Sequence, residues 1–223
     1  MTRIRLSVLA PVVMALAVTT VSAGGWAVVT VEDLPEHIEA GKAIPLTFMV
    51  RQHGITPLNG LRPQLEARSG TLKVTADARP GGKTGQYAAD LTLPDAGEWS
   101  ITIHSGFLSS KLTLLPVTVV SPGSRTVATT AIRDRGQRLF VAKGCVTCHA
   151  QDRTMSEPAL NVGPAIVAQK YRDEFLARVL ADPSGALPAG RAPVGQMPNL
   201  NLRPQEIAAL VSFINHQPKE VTR

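Results

Sequence analysis

The hydrophobic period of this chain changes once, and that change decides what it can fold into. Up to Val120, apolar residues alternate in short runs separated by Gly and Pro; beyond Thr130 they recur every three or four positions. A strand sends alternate side chains to opposite faces, whereas a helix brings i, i+3, i+4 and i+7 to one face. Neither backbone satisfies the other's pattern, so the 223 residues divide into a β part and an α part. That length fits one large domain or two small ones. Both tryptophans, Trp26 and Trp99, fall in the front part, consistent with two units of different build.

In the front part, WAVVTVEDL, AIPLTFMVRQ, TLKVTADA, QYAADLTL, EWSITIHS and KLTLLPVTVV are strand candidates. The breaks between them carry Pro35, Gly41, Gly54, Pro57, Gly81-Gly82, Pro94 and Gly106. Short strands at regular spacing with turn residues between them predict an antiparallel sandwich over residues 24–121. The run Asp95-Ala96-Gly97-Glu98-Trp99-Ser100-Ile101 sets an aromatic two residues before a core position. That is similar to the corner before the penultimate strand of immunoglobulin-like sandwiches, with Trp for Tyr and Ile for Cys. Through GGWAVVTVEDLP, VRQHG and LPDAGEWSITI, this half also resembles the small exported YtkA-like domains, which implies an immunoglobulin-like fold.

Ser121-Pro122-Gly123-Ser124 begins a polar stretch without periodicity. Residues 122–130 therefore read as a linker. Beyond it, Ile132, Gly136, Leu139 and Phe140 share one helical face. Tyr171, Phe175, Leu176, Val179 and Leu180 mark a second helix that Asp182-Pro183 ends. Ile207, Leu210, Val211 and Ile214 mark a third, with Pro204 suited to its first position and Glu206 near its third. Arg203 is a poor N-cap for that helix. The loops between are rich in Gly and Pro, so this unit, residues 131–218 before a short tail at 219–223, needs something else to fill its centre.

Charge is uneven. Residues 24–121 carry 8 Lys and Arg against 9 Asp and Glu, and residues 122–223 carry 13 against 8. A basic half suits nucleic acid or an acidic protein face. No basic run, RNA-binding aromatic motif or zinc-finger spacing supports nucleic acid. The basic residues Arg133, Arg135, Arg138 and Lys143 read equally as a docking face or as an ordinary solvated helix face. At the N-terminus, Arg3 and Arg5 precede a mostly apolar run, and Val21-Ser22-Ala23 offers small residues before Gly24. Residues 1–23 are expected to be a cleaved export signal or a retained membrane anchor. Either places the chain outside the cytoplasm, in the periplasm or on the outer face of the membrane.

The two cysteines of the chain stand in Cys145-Val146-Thr147-Cys148-His149. A thioredoxin-type dithiol needs a βαβ setting, which is absent. Structural zinc needs about four ligands, and no second Cys or His pair exists. Covalent haem attachment needs Cys-x-x-Cys-His, which matches in full. On a turn of helix, positions i, i+3 and i+4 share a face. The two thiols then meet two haem vinyl groups while the imidazole approaches the iron. For the opposite side of the iron, Met197 stands in a Pro- and Gly-containing loop directly before the last helix. Its thioether suits low-spin haem iron. Met155 is too near His149 in sequence for that role, and Met49 reads as a core residue of a strand.

Taken in order, Gly136-x-x-Leu139-Phe140, Gly144, Cys145 to His149, Asn161-Val162-Gly163-Pro164, Met197-Pro198 and Glu206-Ile207-x-x-Leu210-x-x-Phe213-Ile214 resemble a class I monohaem cytochrome c. The resemblance implies one covalently bound haem c with His149 and Met197 as axial ligands. It implies that the first and last helices cross near Gly136, Phe140 and Leu210, and that the Pro164 carbonyl accepts the Nδ1–H bond of His149. Many relatives have a Trp near a haem propionate, and this half has none. With both axial positions filled, the expected role is outer-sphere electron transfer to a redox protein partner with an acidic face, without a catalytic site of its own. A haem enzyme or a gas or redox sensor would instead need Met197 to be displaceable. For the front half, a spacer or docking role competes with metal handling by His37, His53 and His104. Copper sites favour a convergent set of His, Met or Cys, and this half has no Cys and a single Met.

Overall fold

The computed structural model of the chain describes residues 25–35, 38–124, 132–151, 160, 162–166, 171–187 and 197–215. The expected signal or anchor, residues 125–130 of the expected linker, the C-terminal tail, His37 and Met155 lie outside them. Among the described residues no helix is long and apolar enough to cross a membrane.

The front region is built from β1 (Ala27–Val31), β2 (Ile38–Glu39), β3 (Ala43–Gln52), β4 (Thr56–Pro57), β5 (Gln64–Ser69), β6 (Leu72–Asp77), β7 (Arg79–Pro80), β8 (Gln86–Thr92), β9 (Gly97–His104), β10 (Lys111–Thr113) and β11 (Val117–Val120). They form two sheets. One runs β1-β3-β8-β7 with β4 on β3; the other runs β2-β11-β9-β5-β6 with β10 on β9. Every pairing is antiparallel except β2 with β11.

Alternation explains the core between the sheets. On β9, Trp99, Ile101 and Ile103 are buried, and across the ladder Ile101 and Ile103 face Ala67 and Leu65 of β5. The other sheet supplies Leu46, Phe48 and Val50 from β3 and Tyr87, Ala89 and Leu91 from β8. The buried polar tips find partners, as desolvated donors must. Tyr87 Oη donates to the Leu58 carbonyl at 2.7 Å and accepts the Leu61 N–H at 3.1 Å. Trp99 Nε1 donates to the Asp95 carbonyl at 2.9 Å. The Trp indole therefore closes the bend that leads into β9.

Besides the additional two-residue strands β2, β4 and β7, two stretches of the front region differ from the sequence expectation. KLTLLPVTVV is not one strand: it divides into β10 and β11 around Leu114-Leu115-Pro116, and both pieces pair with β9. Proline lacks the N–H that an unbroken ladder needs. β5 has no counterpart among the expected strands, because only Leu65 and Ala67 carry its apolar face. It nonetheless joins β9 to β6.

The second region contains α1 (Ile132–Ala142), a single 3₁₀ turn (Cys145–Thr147), α2 (Asp173–Ala181), α3 (Pro183–Ala186) and α4 (Pro204–Asn215). α3 is additional to the expected helices; Pro183 stops α2 and occupies the first turn of α3. α1 and α4 cross at Gly136, where a Cβ would lie 2.6 Å from Phe213 Cβ and collide with the Ala209 carbonyl. Phe140 and Phe213 meet beside the crossing, ring centroids 5.6 Å apart. Asn215 joins α4 to the start of α2, donating to the Tyr171 carbonyl at 2.7 Å and accepting the Tyr171 N–H at 3.0 Å.

The N-terminus of α4 shows how it starts without a polar N-cap. The Glu206 carboxylate folds back and accepts the Arg203 N–H at 2.9 Å. That is the second half of a capping box, supplied from the third helical position.

The regions meet along β1, which is buried on both faces although it ends its sheet. Ala27, Val29 and Val31 enter the main core cluster; Val28 and Thr30, both 4% exposed, lie on the other face. Gly144 sits flush against that strand: a Cβ on it would lie 2.6 Å from the Val29 carbonyl oxygen and 2.7 Å from Val28 Cγ1. Thr30 Oγ1 donates to the Lys143 carbonyl at 3.4 Å.

Candidate functional site

The expected site residues lie on three segments, of which the first two are joined by hydrogen bonds. The first follows α1. Gly144 adopts a left-handed conformation, φ 77°, which a residue with a Cβ adopts only at a cost. It ends α1 and turns the chain into the 3₁₀ turn that begins at Cys145. The Cys148 N–H at 3.1 Å and the His149 N–H at 2.9 Å both donate to the Cys145 carbonyl. The i, i+3, i+4 register of Cys145, Cys148 and His149 is thus fixed by the backbone, on a tighter turn than an α-helix.

The second segment, residues 162–166, runs alongside. The Gly163 N–H donates to the Cys148 carbonyl at 2.8 Å, and the Ile166 N–H to the Ala150 carbonyl at 3.0 Å. These bonds hold Pro164 so that its carbonyl oxygen is 2.9 Å from His149 Nδ1. A carbonyl only accepts, so Nδ1 carries the proton and Nε2 keeps its lone pair. Gly163 lies against the imidazole: a Cβ there would come 2.6 Å from both Cε1 and Nδ1. The third segment brings Met197, partly buried and packed against the hydrophobic core, just before α4.

Electrostatics match that tautomer. Burial pushes the His149 pKa down, against the smaller opposing effect of the Pro164 bond. The ring is therefore a neutral donor, the form that binds a metal. Burial, with Cys148 beside it, pushes the Cys145 thiol up to about 12, and burial also raises Cys148. Both cysteines are free thiols. A redox dithiol relies on a lowered pKa and a ready thiolate, and these two have neither.

The arrangement fits haem c: two unbridged thiols and a neutral imidazole on one turn, a ring oriented by a carbonyl, and a glycine cleared of any side chain at its edge. Cys145 and Cys148 would hold the group, and His149 Nε2 and Met197 Sδ are the donors suited to iron. When bound, haem supplies the one-electron iron couple. The protein's part is to fix the imidazole, keep its Nε2 unprotonated and raise its basicity through the Nδ1–H···O bond.

Lys143 is not a solvated residue. It is 4% exposed and its Nζ is 3.0 Å from Glu206 Oε1, itself in a residue 2% exposed. The ammonium also donates to the Glu32 carbonyl of the front region at 2.7 Å. Burial pushes the Glu206 carboxyl up, but the Arg203 N–H, the Lys143 ammonium and the Arg203 guanidinium outweigh it and hold the pKa below its usual value. No sequence signal marked this pair, because its partners are 63 and 111 residues from Lys143 along the chain.

Among the described residues, His53 and His104 belong to no candidate metal set. His53, at φ 52°, packs at a tilt against Trp26, ring centroids 5.4 Å apart and planes at 57°. His104 is exposed at the end of β9. Among the described residues no group of three or more His, Cys, Asp and Glu converges as a candidate metal site.

Residues 133–218 match the cytochrome c family, so this region is a cytochrome c domain, and the family implies covalently bound haem c. No curated protein matches the chain. Among solved structures, the chain is similar to a putative glycoside hydrolase from Bacteroides vulgatus (20% identity, TM-score 0.32), covering 41% of this chain and 17% of that one. It is also similar to a superoxide reductase (neelaredoxin) from Ignicoccus hospitalis (14% identity, TM-score 0.28), covering 44% of this chain and 82% of that one. A third is the PKD domain of the human VPS10 domain-containing receptor SorCS2 (15% identity, TM-score 0.27), covering 55% and 98%. The chain thus spans about 17% of the first of these, and at such scores none bears on function.

Proposed function

We propose that the protein is an exported monohaem c-type cytochrome, a one-electron carrier with His149 and Met197 as axial ligands and an immunoglobulin-like, YtkA-like domain in front. The observation that carries the reading is the His149 site: a neutral imidazole with Nδ1 bonded to the Pro164 carbonyl at 2.9 Å, set one residue after the second of two unpaired thiols. In this reading the domains are residues 24–121 and 131–218, joined by residues 122–130. Cys145 and Cys148 carry the thioethers, and Met197 closes the second axial position. A centre with both positions filled has nowhere to bind substrate, which favours a carrier over an enzyme. Such a carrier exchanges electrons with a redox protein partner outside the cytoplasm, where an acidic face on the partner would complement the basic surplus of the second half.

The test is the visible spectrum of the purified holoprotein. The carrier reading expects a low-spin ferric spectrum, with slow cyanide binding to the oxidised form and slow carbon monoxide binding to the reduced form. Met197→Ala should convert the protein to an open, high-spin state. A high-spin resting spectrum, or a Met197→Ala spectrum unchanged from the parent, contradicts the assignment. One feature favours a second reading, in which Met197 is displaced by a small ligand. Met197 lines a cavity of about 180 Å³ together with Arg51, Gly54 and Ser184. Rapid ligand binding at rest would support that sensor reading.

A further inference from the structure

Two segments carry the proposed haem-holding residues: Lys143-Gly144, leading into Cys145, and Met197-Pro198, which precedes α4. Both lie against the same sheet of the front region. At the first, Gly144 is pressed on β1 and the Lys143 ammonium reaches across to the Glu32 carbonyl. At the second, the turn after β3 rests on the loop: a Cβ on Gly54 would lie 3.8 Å from the Pro198 ring, in ordinary contact distance. Arg51, Gly54 and Ile55 share a cavity wall with Met197, Pro198 and Asn199. At the rim, Arg203, which precedes α4, is 3.0 Å from Asp33.

We propose that the front sheet is a clamp on the ligand loop, holding the Met197 segment in register with the Cys145–His149 turn so that the thioether stays on the iron. This rests on the His149/Met197 ligation proposed above. The physical reason lies in what separation would expose. Val28 and Thr30 are buried by this contact rather than by their own domain's core. The Lys143–Glu206 pair gives the clamp a fixed seat. An ammonium in a dry site needs its donors matched, and the Glu32 carbonyl of the front region supplies one acceptor at 2.7 Å. Sliding the sheet would strand a buried charge, so the seat has one position. The Met197 loop is the element that benefits. A loop without regular structure opens locally at low cost unless something packs on it, and here the turn at Gly54 lies beside Pro198.

Val28 gives a clean test, because it lies on the clamp face and is absent from the main hydrophobic cluster. In the holoprotein, cyanide binding to the ferric form is followed by stopped flow, and the weak long-wavelength absorption of an iron–thioether bond reports Met197. Val28→Glu is expected to weaken that absorption and speed cyanide binding at least tenfold, with Val28→Ala intermediate. Val28→Ala also serves if the Glu variant does not fold. Trp99→Phe, which perturbs the front core away from the clamp, is the control and should leave the cyanide rate near the parent's. Parent-like rates in both Val28 variants overturn the clamp while leaving ligation standing, as does a Trp99→Phe rate equal to that of Val28→Glu. Absence of the iron–thioether absorption from the parent protein overturns the ligation reading, and the clamp with it.

Discussion

Gly136 on α1 lies against the backbone of Ala209 on α4 with no space for a side chain. The obstruction is a carbonyl in the partner helix, which no rotamer change relieves. In an exposed helix, Gly to Ala gains up to ~1 kcal/mol; at this crossing the sign reverses. Gly136→Ala is expected to lose about 1–3 kcal/mol through overpacking. The midpoint of guanidinium unfolding, followed by α-helical circular dichroism, measures it. A midpoint at or above the parent's would show that the crossing relaxes freely.

Gly163 and His149 make a similar contact with an electronic consequence. A Cβ at 163 pushes on the imidazole edge that carries Nδ1 and so lengthens the bond to the Pro164 carbonyl. A weaker Nδ1–H···O bond makes the ring a poorer electron donor and disfavours the oxidised state. Gly163→Ala should raise the midpoint potential of the holoprotein, read by spectroelectrochemical titration, and cost about 1 kcal/mol of stability for the hydrogen bond. An unchanged or lowered potential would separate the bond from the tuning of the centre.

Glu206 predicts a pH dependence with a definite sign. Its folded-state pKa is held below the ordinary 4.5. The carboxylate therefore contributes stability that is fully present above about pH 4.5. That contribution is lost as the pH falls through the lowered folded value. Thermal unfolding between pH 7 and 3 should show this loss in the parent and a flatter profile in Glu206→Gln. Lys143→Met, which leaves the acid without its buried partner, is expected to cost about 3 kcal/mol at neutral pH. Identical parent and Glu206→Gln profiles would show that the pair does not couple to folding.

Trp99→Phe removes the Nε1 donor to the Asp95 carbonyl and part of a fully buried side chain. The bond accounts for about 1 kcal/mol and the lost packing for a similar amount. A shift of about 2 kcal/mol in the unfolding of the front region, with an unaltered haem spectrum, is the expected result. A smaller shift would mean that the bend before β9 holds without its tryptophan.

Much of this was legible in the residues because the decisive signals are local. The alternation of AIPLTFMVRQ gave β3 to the residue, and the spacing of Ile207, Leu210, Val211 and Ile214 located α4. The attachment motif needed only five adjacent positions. β5 escaped because two apolar residues in six are too few to show a period. What stayed hidden is non-local. Lys143 looked like one more surface cation, and nothing near it in the sequence points to Glu206 or to the Glu32 carbonyl. Met49 is the buried strand residue expected, but it sits opposite Thr30 and apart from the main cluster, a placement that its own strand does not reveal.

β1 leaves evolution little room. Its five residues are all buried, with alternate positions committed to the front core and to the cytochrome c contact, so it has no neutral surface on which substitutions accumulate unseen. A change at Val28 or Thr30 is read by the neighbouring region, and a change at Ala27, Val29 or Val31 by its own. Were the two halves carried by separate genes, the front one would bear an apolar stripe in need of a cover. The strand gives the halves a reason to be inherited as one chain.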